Sequence, residues 1–353
     1  MNLFCISINR RNIEVNKVMW KKIVAGLLVL VVIAVAAFRI FFGGNEIDDL
    51  LSKQNETLTS YELKGTMEMS SGEEVRNYNV EVSYKKDGEE DLFKVSLLDT
   101  NINQLQLIVR NTDGVFVLTP SLNQVYSFKG EWPLNSPKPY LYQCMLNCLK
   151  GEHELKTLDD GYLVTCYPEF KNSNHYYKQE VKFDKELNPK FVYIYDKNDV
   201  VRVKFNVVSF ERNVTFEDNY FNQDKILEDS RTTIVEITTK NEDLPLYPVN
   251  VDLEASLRDQ TVANIQGEEV HILAYEGEKS FTVVQRLLSN NDEAVFSDIE
   301  GEMIDLMNGV GFLDNNQITC VYNGVEYKIY SDVLNVAELI EVANGMEVVV
   351  TKE

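Results

Sequence analysis

From Tyr61 onward the chain alternates apolar and polar residues with a period of two. VRNYNVEVSYKK (75–86) is the clearest stretch, and the same period marks 61–69, 92–98, 105–109, 115–118 and 124–128 as strands. Turn residues separate them: Lys85-Lys86-Asp87-Gly88, Asn111-Thr112-Asp113-Gly114 and Thr119-Pro120-Ser121-Leu122-Asn123. A helical pattern at 139–149 interrupts the series. Strands then resume at 162–167, 176–183, 191–195 and 200–210, with turns at 185–189 and 196–199. Strands joined by short turns, without long helices between them, predict an antiparallel meander and exclude a doubly wound parallel sheet.

A curled sheet that does not close must cover its apolar face. Two helices are available. In 45–59, Asn45 is a plausible N-cap, and Ile47, Leu50, Leu51 and Leu58 share one face. In 139–149, Leu141, Met145 and Leu149 form a stripe with Cys144 and Cys148. The expected fold is α+β: an unclosed antiparallel half-barrel with a helical lid and an apolar interior. The alternation points Val80, Val82, Leu107, Val109 and Val117 inward. Tyr126 and Trp132, in an aromatic-rich stretch with Phe128, Tyr140 and Tyr142, read as the rim of the mouth or as packing between lid and sheet. These seven residues are the candidate ligand-binding set.

The half-barrel is expected over 45–225. An acidic, threonine-rich linker follows at 226–243, and then Leu244-Pro245-Leu246-Tyr247-Pro248. Residues 244–353 carry their own pattern. A hairpin turns at 276–279, and another turns at Asn323-Gly324, the strongest turn signal in the chain. Asn335 and Glu338 form a capping-box pair that opens a last helix, closed by Gly345. This is a small C-terminal α+β domain.

The first 42 residues are a separate object. Residues 23–38 are uncharged, and the apolar stretch runs on past Arg39 to Phe42, which is long enough to cross a bilayer. Basic residues precede it, so 1–22 is expected in the cytoplasm and the bulk of the chain outside, on a single-pass anchor at 23–42. A cleaved signal peptide is the competing reading, since Ala34-Val35-Ala36 suits a signal peptidase. Met19 opens MWKKIVAGLL, a second plausible start.

Charge sharpens this division. Of the formal −22, residues 1–42 contribute +5 and the remainder −27. So acidic an exterior excludes a nucleic-acid partner, which needs a basic face. Cys144, Cys148, Cys166 and Cys320 show no C-x-x-C spacing and read best as small buried hydrophobes, although Cys144 or Cys148 lies within reach of Cys166. His153, His175 and His271 are scattered, and no metal or cofactor is expected. Glu152-His153-Glu154 reads as a loop, and Asn308-Gly309-Val310-Gly311 as a turn or bulge. Nucleophile-elbow, Walker and dinucleotide motifs are missing from the sequence, so no enzyme is expected.

DGVFVLTPSLNQVYSFKGEWPLNSPKPYLYQCMLNCL (113–149) resembles the central segment of lipoprotein-carrier-like (LolA-like) proteins, closest to a Gram-positive sporulation and germination lipoprotein branch. Asp113-Gly114, Thr119-Pro120, Asn123-Gln124, Trp132-Pro133 and Tyr140-Leu141 carry the likeness. The stretches 267–285 and 321–344 are similar to the small domain that follows the carrier-like domain there. The resemblance implies a cup for acyl chains of lipoprotein; the function expected is a cup for an acyl chain or a hydrophobic segment, or alternatively a scaffold for an envelope or spore-cortex enzyme or a signalling protein with no lipid ligand. Many Gram-positive members carry a lipobox cysteine; this chain has Gly43-Gly44 after the apolar run, so its membrane contact would be the helix itself.

Overall fold

The computed structural model describes residues 45–71, 74–128, 132, 138–170, 175–230, 239–249, 251, 253–265, 267–288 and 293–346. The anchor expected at 23–42, its cytoplasmic flank 1–22 and the middle of the expected linker (231–238) lie outside the described residues. No helix among the described residues is long and apolar enough to cross a membrane. The chain divides into two compact units, 1–57 and 58–353. Within the first, helix α1 (Asn45–Thr57) forms as its apolar spacing predicts, and Thr57 Oγ1 donates back to the Lys53 carbonyl at 2.7 Å.

The second unit holds two sheets. The meander supplies β1 (Ser60–Ser71), β2 (Glu74–Asp87), β3 (Glu90–Asp99), β4 (Gln104–Asn111), β5 (Gly114–Thr119) and β6 (Gln124–Phe128). After α2 (Tyr142–Lys150) come β7 (His153–Leu158), β8 (Gly161–Cys166), β9 (Lys178–Asp184), β10 (Pro189–Tyr195), β11 (Val201–Arg212) and α3 (Gln223–Ser230). The rest of the chain gives β12 (Ala255–Ile265), β13 (Glu268–Gly277), β14 (Phe281–Leu287), β15 (Val295–Ile299), β16 (Glu302–Leu306), β17 (Gly309–Asp314), β18 (Gln317–Tyr322), β19 (Val325–Tyr330) and α4 (Val336–Asn344).

Sheet one runs β15-β6-β5-β4-β3-β2-β1-β11-β10-β9-β8-β7, and sheet two runs β12-β13-β14-β19-β18-β17-β16. Every pairing is antiparallel except β15 on β6. The outer strands of each sheet do not pair, so both sheets are unclosed. The period-two pattern sets the register. Val82, Val95, Ile108, Val117 and Tyr126 lie opposite one another across five strands and are all buried.

Two elements cover this face. Over β1 and β11, the ring of Tyr142 in α2 sits 5.8 Å from Tyr61 and 4.7 Å from Phe210, and Tyr61 Oη donates to Gln143 Oε1 at 2.8 Å. Cys148 of α2 is bonded to Cys166 of β8, with their Cα atoms 5.7 Å apart. This corrects the reading of all four cysteines as reduced. The helical i,i+4 pair cannot bridge to itself, but α2 lies on the sheet with Cys148 facing β8. Cys144 and Cys320 remain thiols.

Over β2–β6 the cover is sheet two, which differs from the purely helical lid expected. Phe312 packs on Tyr126 (5.4 Å) and Phe128 (6.0 Å). Val310 N donates to Gln106 Oε1 at 2.9 Å, and Asn323 N to Gln104 Oε1 at 2.7 Å. Gln104 and Gln106 share with Ile108 the face that sheet two covers, opposite to the face of β4 that the alternation points inward. They satisfy backbone donors of sheet two that burial would otherwise strand. Sheet two has its own core, in which Leu273, Val283, Ile318, Tyr327 and Ile329 pack with Leu339 and Val342 of α4. The predicted capping box is present: Glu338 N donates to Asn335 Oδ1 at 3.0 Å and Asn335 N to Glu338 Oε2 at 2.9 Å.

Two local readings change. Residue 153 opens strand β7, which is exposed along most of its length, where a loop was expected. Asn308 lies in a turn as expected, but the turn ends there and Gly309 already begins strand β17.

Candidate functional site

The register divides the seven candidate residues. Val80, Val82, Val117 and Tyr126 share the covered face. Trp132 joins them there, its ring 5.9 Å from Phe93 and its carbonyl accepting from Arg110 Nη1 at 2.9 Å. Leu107 and Val109 point to the opposite face, under Ile226 and Leu227 of α3. That packing gives 226–230 a helix where the sequence reads as linker. All seven are buried, and none lines the methionine-walled cavity.

That cavity, of about 400 Å³, lies where the far ends of β1 and β2 meet β16 and α4. Met67 and Met69 of β1, Tyr78 of β2, Tyr140, Met303 and Met307, and Ile340 of α4 are part of its apolar wall. Four of the chain's eight methionines thus gather at one place. Thioether side chains are flexible and polarizable, which suits a wall that must fit irregular apolar guests. The sequence signal was Met67-Glu68-Met69, two methionines on one face of a strand, but its counterpart 234 residues later is invisible to a local reading.

Hydrogen bonds fix the wall between the sheets. Tyr78 Oη donates to the Met307 carbonyl, Arg76 Nε donates to Asn308 Oδ1 at 3.2 Å, and Met307 N donates to Asn344 Oδ1 at 2.8 Å. Gly309 has φ +117°, and a Cβ there would stand 2.3 Å from Gln106 Oε1, so only glycine lets the chain pass. Burial pushes the Tyr78 and Tyr140 phenols well above their ordinary range, and both stay neutral. The Tyr140 hydroxyl is buried without a hydrogen-bond partner among the described residues. Lys138 is fully buried and meets the half-exposed carboxylate of Asp305; burial pulls its ammonium down to about 7, against a smaller upward pull from Cys144. The carboxylates of Glu74, Glu302, Asp305 and Glu341 also border the cavity, against the cationic Arg202 and the titratable His175.

An unclosed antiparallel sheet whose apolar face carries a helix is what the LolA-like resemblance implied, and the cover by a second sheet goes beyond it. No family model matches the chain. It is similar to the Sporulation protein YdcC of Bacillus subtilis (strain 168), 29% identical over 305 residues that cover 84% of this chain and 88% of that protein. Among solved structures it is similar to the Pseudomonas aeruginosa MucA/MucB complex (TM-score 0.31, 12% identity, 85% of this chain and 96% of that one). It is also similar to a putative outer membrane lipoprotein-sorting protein domain from Vibrio parahaemolyticus (TM-score 0.30, 16% identity, 52% of this chain and 97% of that one). A third is a LolA superfamily protein from Nitrosomonas europaea (TM-score 0.28, 12% identity, 50% of this chain and 98% of that one). The likeness to a sporulation protein is consistent with the sporulation branch suspected from 113–149, 267–285 and 321–344.

Proposed function

We propose that this protein is a non-enzymatic binding protein, tethered to the cell membrane by residues 23–42 with its bulk outside, and that its inter-sheet cavity receives an apolar guest. The observation that carries the reading is the methionine-lined cavity between the ends of β1 and β16. Burying apolar surface at ~25 cal/mol per Å² supplies the affinity, and few polar groups are needed. In this reading sheet one is a carrier-like half-barrel whose lid is α2 together with sheet two. Similarity to a sporulation protein supports a place in sporulation or in the envelope of a spore-former. A tethered protein does not shuttle, so it presents or withholds its guest at one membrane.

A second reading is a scaffold for an envelope or spore-wall protein with no lipid ligand. It is favoured by sheet two, which fills the cup over β2–β6. The two separate by photo-crosslinking. Full-length protein in phosphatidylcholine nanodiscs is exposed to a diazirine-bearing palmitate, and adducts are mapped by mass spectrometry. Adducts at 67–71 and 302–307 support the binding reading; adducts confined to the first 44 residues overturn it.

A further inference from the structure

A second hollow lies on the other face of sheet one. Across β1, β2 and β3 the register sets Glu62, Ser83 and Lys94 in one row, on the face that α3 covers at Val109. Adjacent strands stand about 4.8 Å apart, so the Cα atoms of Glu62 and Lys94 are about 10 Å apart. The chain between β11 and α3 roofs this row. One end is pinned by Asn213 N, which donates to the Ser60 carbonyl at 2.9 Å, and by Ser60 Oγ, which donates to the Val214 carbonyl at 2.7 Å. The other end is pinned by Asn111 Nδ2, which donates to the Phe221 carbonyl at 3.1 Å. Between them the rings of Phe216 and Tyr220 pack 4.7 Å apart, and Tyr220 Oη meets Ser83 Oγ at 3.0 Å. Beneath this roof remains a pocket of about 350 Å³, the size of a small-molecule site.

The charges around this pocket do not settle one another. Lys225 and Asp229 pair at 2.9 Å. Lys94 has no ion pair and no hydrogen-bond acceptor among the described residues; its ammonium lies over the Tyr220 ring, 4.6 Å from the centroid. Glu62 and Glu217 also border the pocket, and their carboxylates make no ion pair or hydrogen bond among the described residues. One cation and two carboxylates are thus uncommitted around one small space. Burial holds the Lys94 ammonium below its ordinary range, against the pull of Asp229, Glu81 and Glu62. A partly buried ammonium without an acceptor carries a cost that a ligand carboxylate removes. A lone anion there meets the two glutamates and a lone cation meets Lys94, so neither sign alone suits the pocket.

We propose that this pocket binds a basic α-amino acid, a small molecule with one carboxylate and two amino groups. The carboxylate meets Lys94, and the two ammonium groups meet Glu62 and Glu217. Such a ligand carries one net positive charge, and the three uncommitted side chains leave one net negative charge to receive it. The site is independent of the methionine-walled cavity, since no residue borders both.

The test uses full-length protein in phosphatidylcholine nanodiscs, with empty discs as the blank. Saturation-transfer NMR follows three ligands: L-lysine, L-norleucine, which lacks the side-chain amine, and cadaverine, which lacks the carboxylate. L-Lysine should give a saturable signal, and each analogue should bind at least about fivefold more weakly. Lys94→Gln should abolish the preference for lysine over cadaverine and keep the preference over norleucine. Glu62→Gln combined with Glu217→Gln should do the reverse. None of the three side chains belongs to the buried core, so the variants keep the wild-type fold. No saturable lysine signal, analogues that bind as tightly as lysine, or preferences that the variants leave unchanged would each overturn the proposal.

Discussion

Replacing Gln106 with leucine probes the contact on which the arrangement of the two sheets depends. Gln106 is nine-tenths buried or more, and its Oε1 is the acceptor for Val310 N at 2.9 Å, across 204 residues of sequence. Leucine has nearly the same volume, so packing is kept and the acceptor is lost. Val310 is 2% exposed, so water cannot replace it. An orphaned buried N–H costs about 1–3 kcal/mol, equivalent to roughly 5- to 150-fold in a local opening equilibrium. Hydrogen–deuterium exchange read by mass spectrometry is the assay. Peptides covering 308–313 should exchange faster by that factor in Gln106→Leu. Those covering 178–195, in the remote strands β9 and β10, should keep the wild-type rate. If 308–313 exchanges as in the wild type while the variant is folded, Val310 does not depend on Gln106 and the packing of sheet two on β4 is wrong.

Other substitutions test separate parts of the structure. Cys148→Ala with Cys166→Ala opens a loop closed at a separation of 18 residues, which should cost about 3 kcal/mol in chemical denaturation; an unchanged midpoint argues against the bond. Gly65→Ala places a Cβ 2.5 Å from Phe205 Cε2 and 2.6 Å from the Asn206 carbonyl, so thermal unfolding should report a loss of about 1–3 kcal/mol. Burial raises the Asp99 carboxyl above its ordinary range. An acid raised by folding stabilises below its unfolded pKa of ~3.9, and that contribution is lost as the pH rises through the folded value. Asp99→Asn should remove this dependence; a wild-type-minus-variant stability difference that stays flat with pH would refute it. Lys64→Ala breaks a pair in which both side chains are about half exposed, and should move stability by no more than about 0.5 kcal/mol.

The parts of the fold set by local physics were legible. Alternation marked most of the meander strands, because one buried face imposes a period of two. Asn323 (φ 46°) and Gly324 (φ 82°) take the left-handed conformations that their tight hairpin demands. The Asn335–Glu338 box opens α4 as its spacing predicts. Gly345 closes α4 for a different reason: its φ is −81°, and a Cβ would lie 2.5 Å from the Val249 carbonyl, so close approach and not handedness selects glycine.

What was not legible depends on distant partners. Leu107 and Ile108 are both buried, one under α3 and the other on the face that sheet two covers, and no period reveals which face is which. Strand β12 is exposed along nearly all of its length, so it lacks the apolar alternation that would announce it. The cavity escaped notice because its walls come from 67–78, 139–140, 302–309 and 337–345, brought together only when sheet two docks. Gln104 and Gln106, which bind sheet two, stand at the polar positions of the β4 alternation and so gave no sign of that docking.

The most direct measurement is a titration of the full-length protein in nanodiscs with 11-(dansylamino)undecanoate, followed by the rise in dansyl fluorescence above that of empty discs. Met69 is half-buried at the rim of β1, so Met69→Trp fills the cavity with little risk to the core. A single saturable site per chain that vanishes in Met69→Trp is the result expected. Fluorescence that never exceeds the empty-disc background, or a site untouched by the tryptophan, would contradict a receptive cavity between the two sheets.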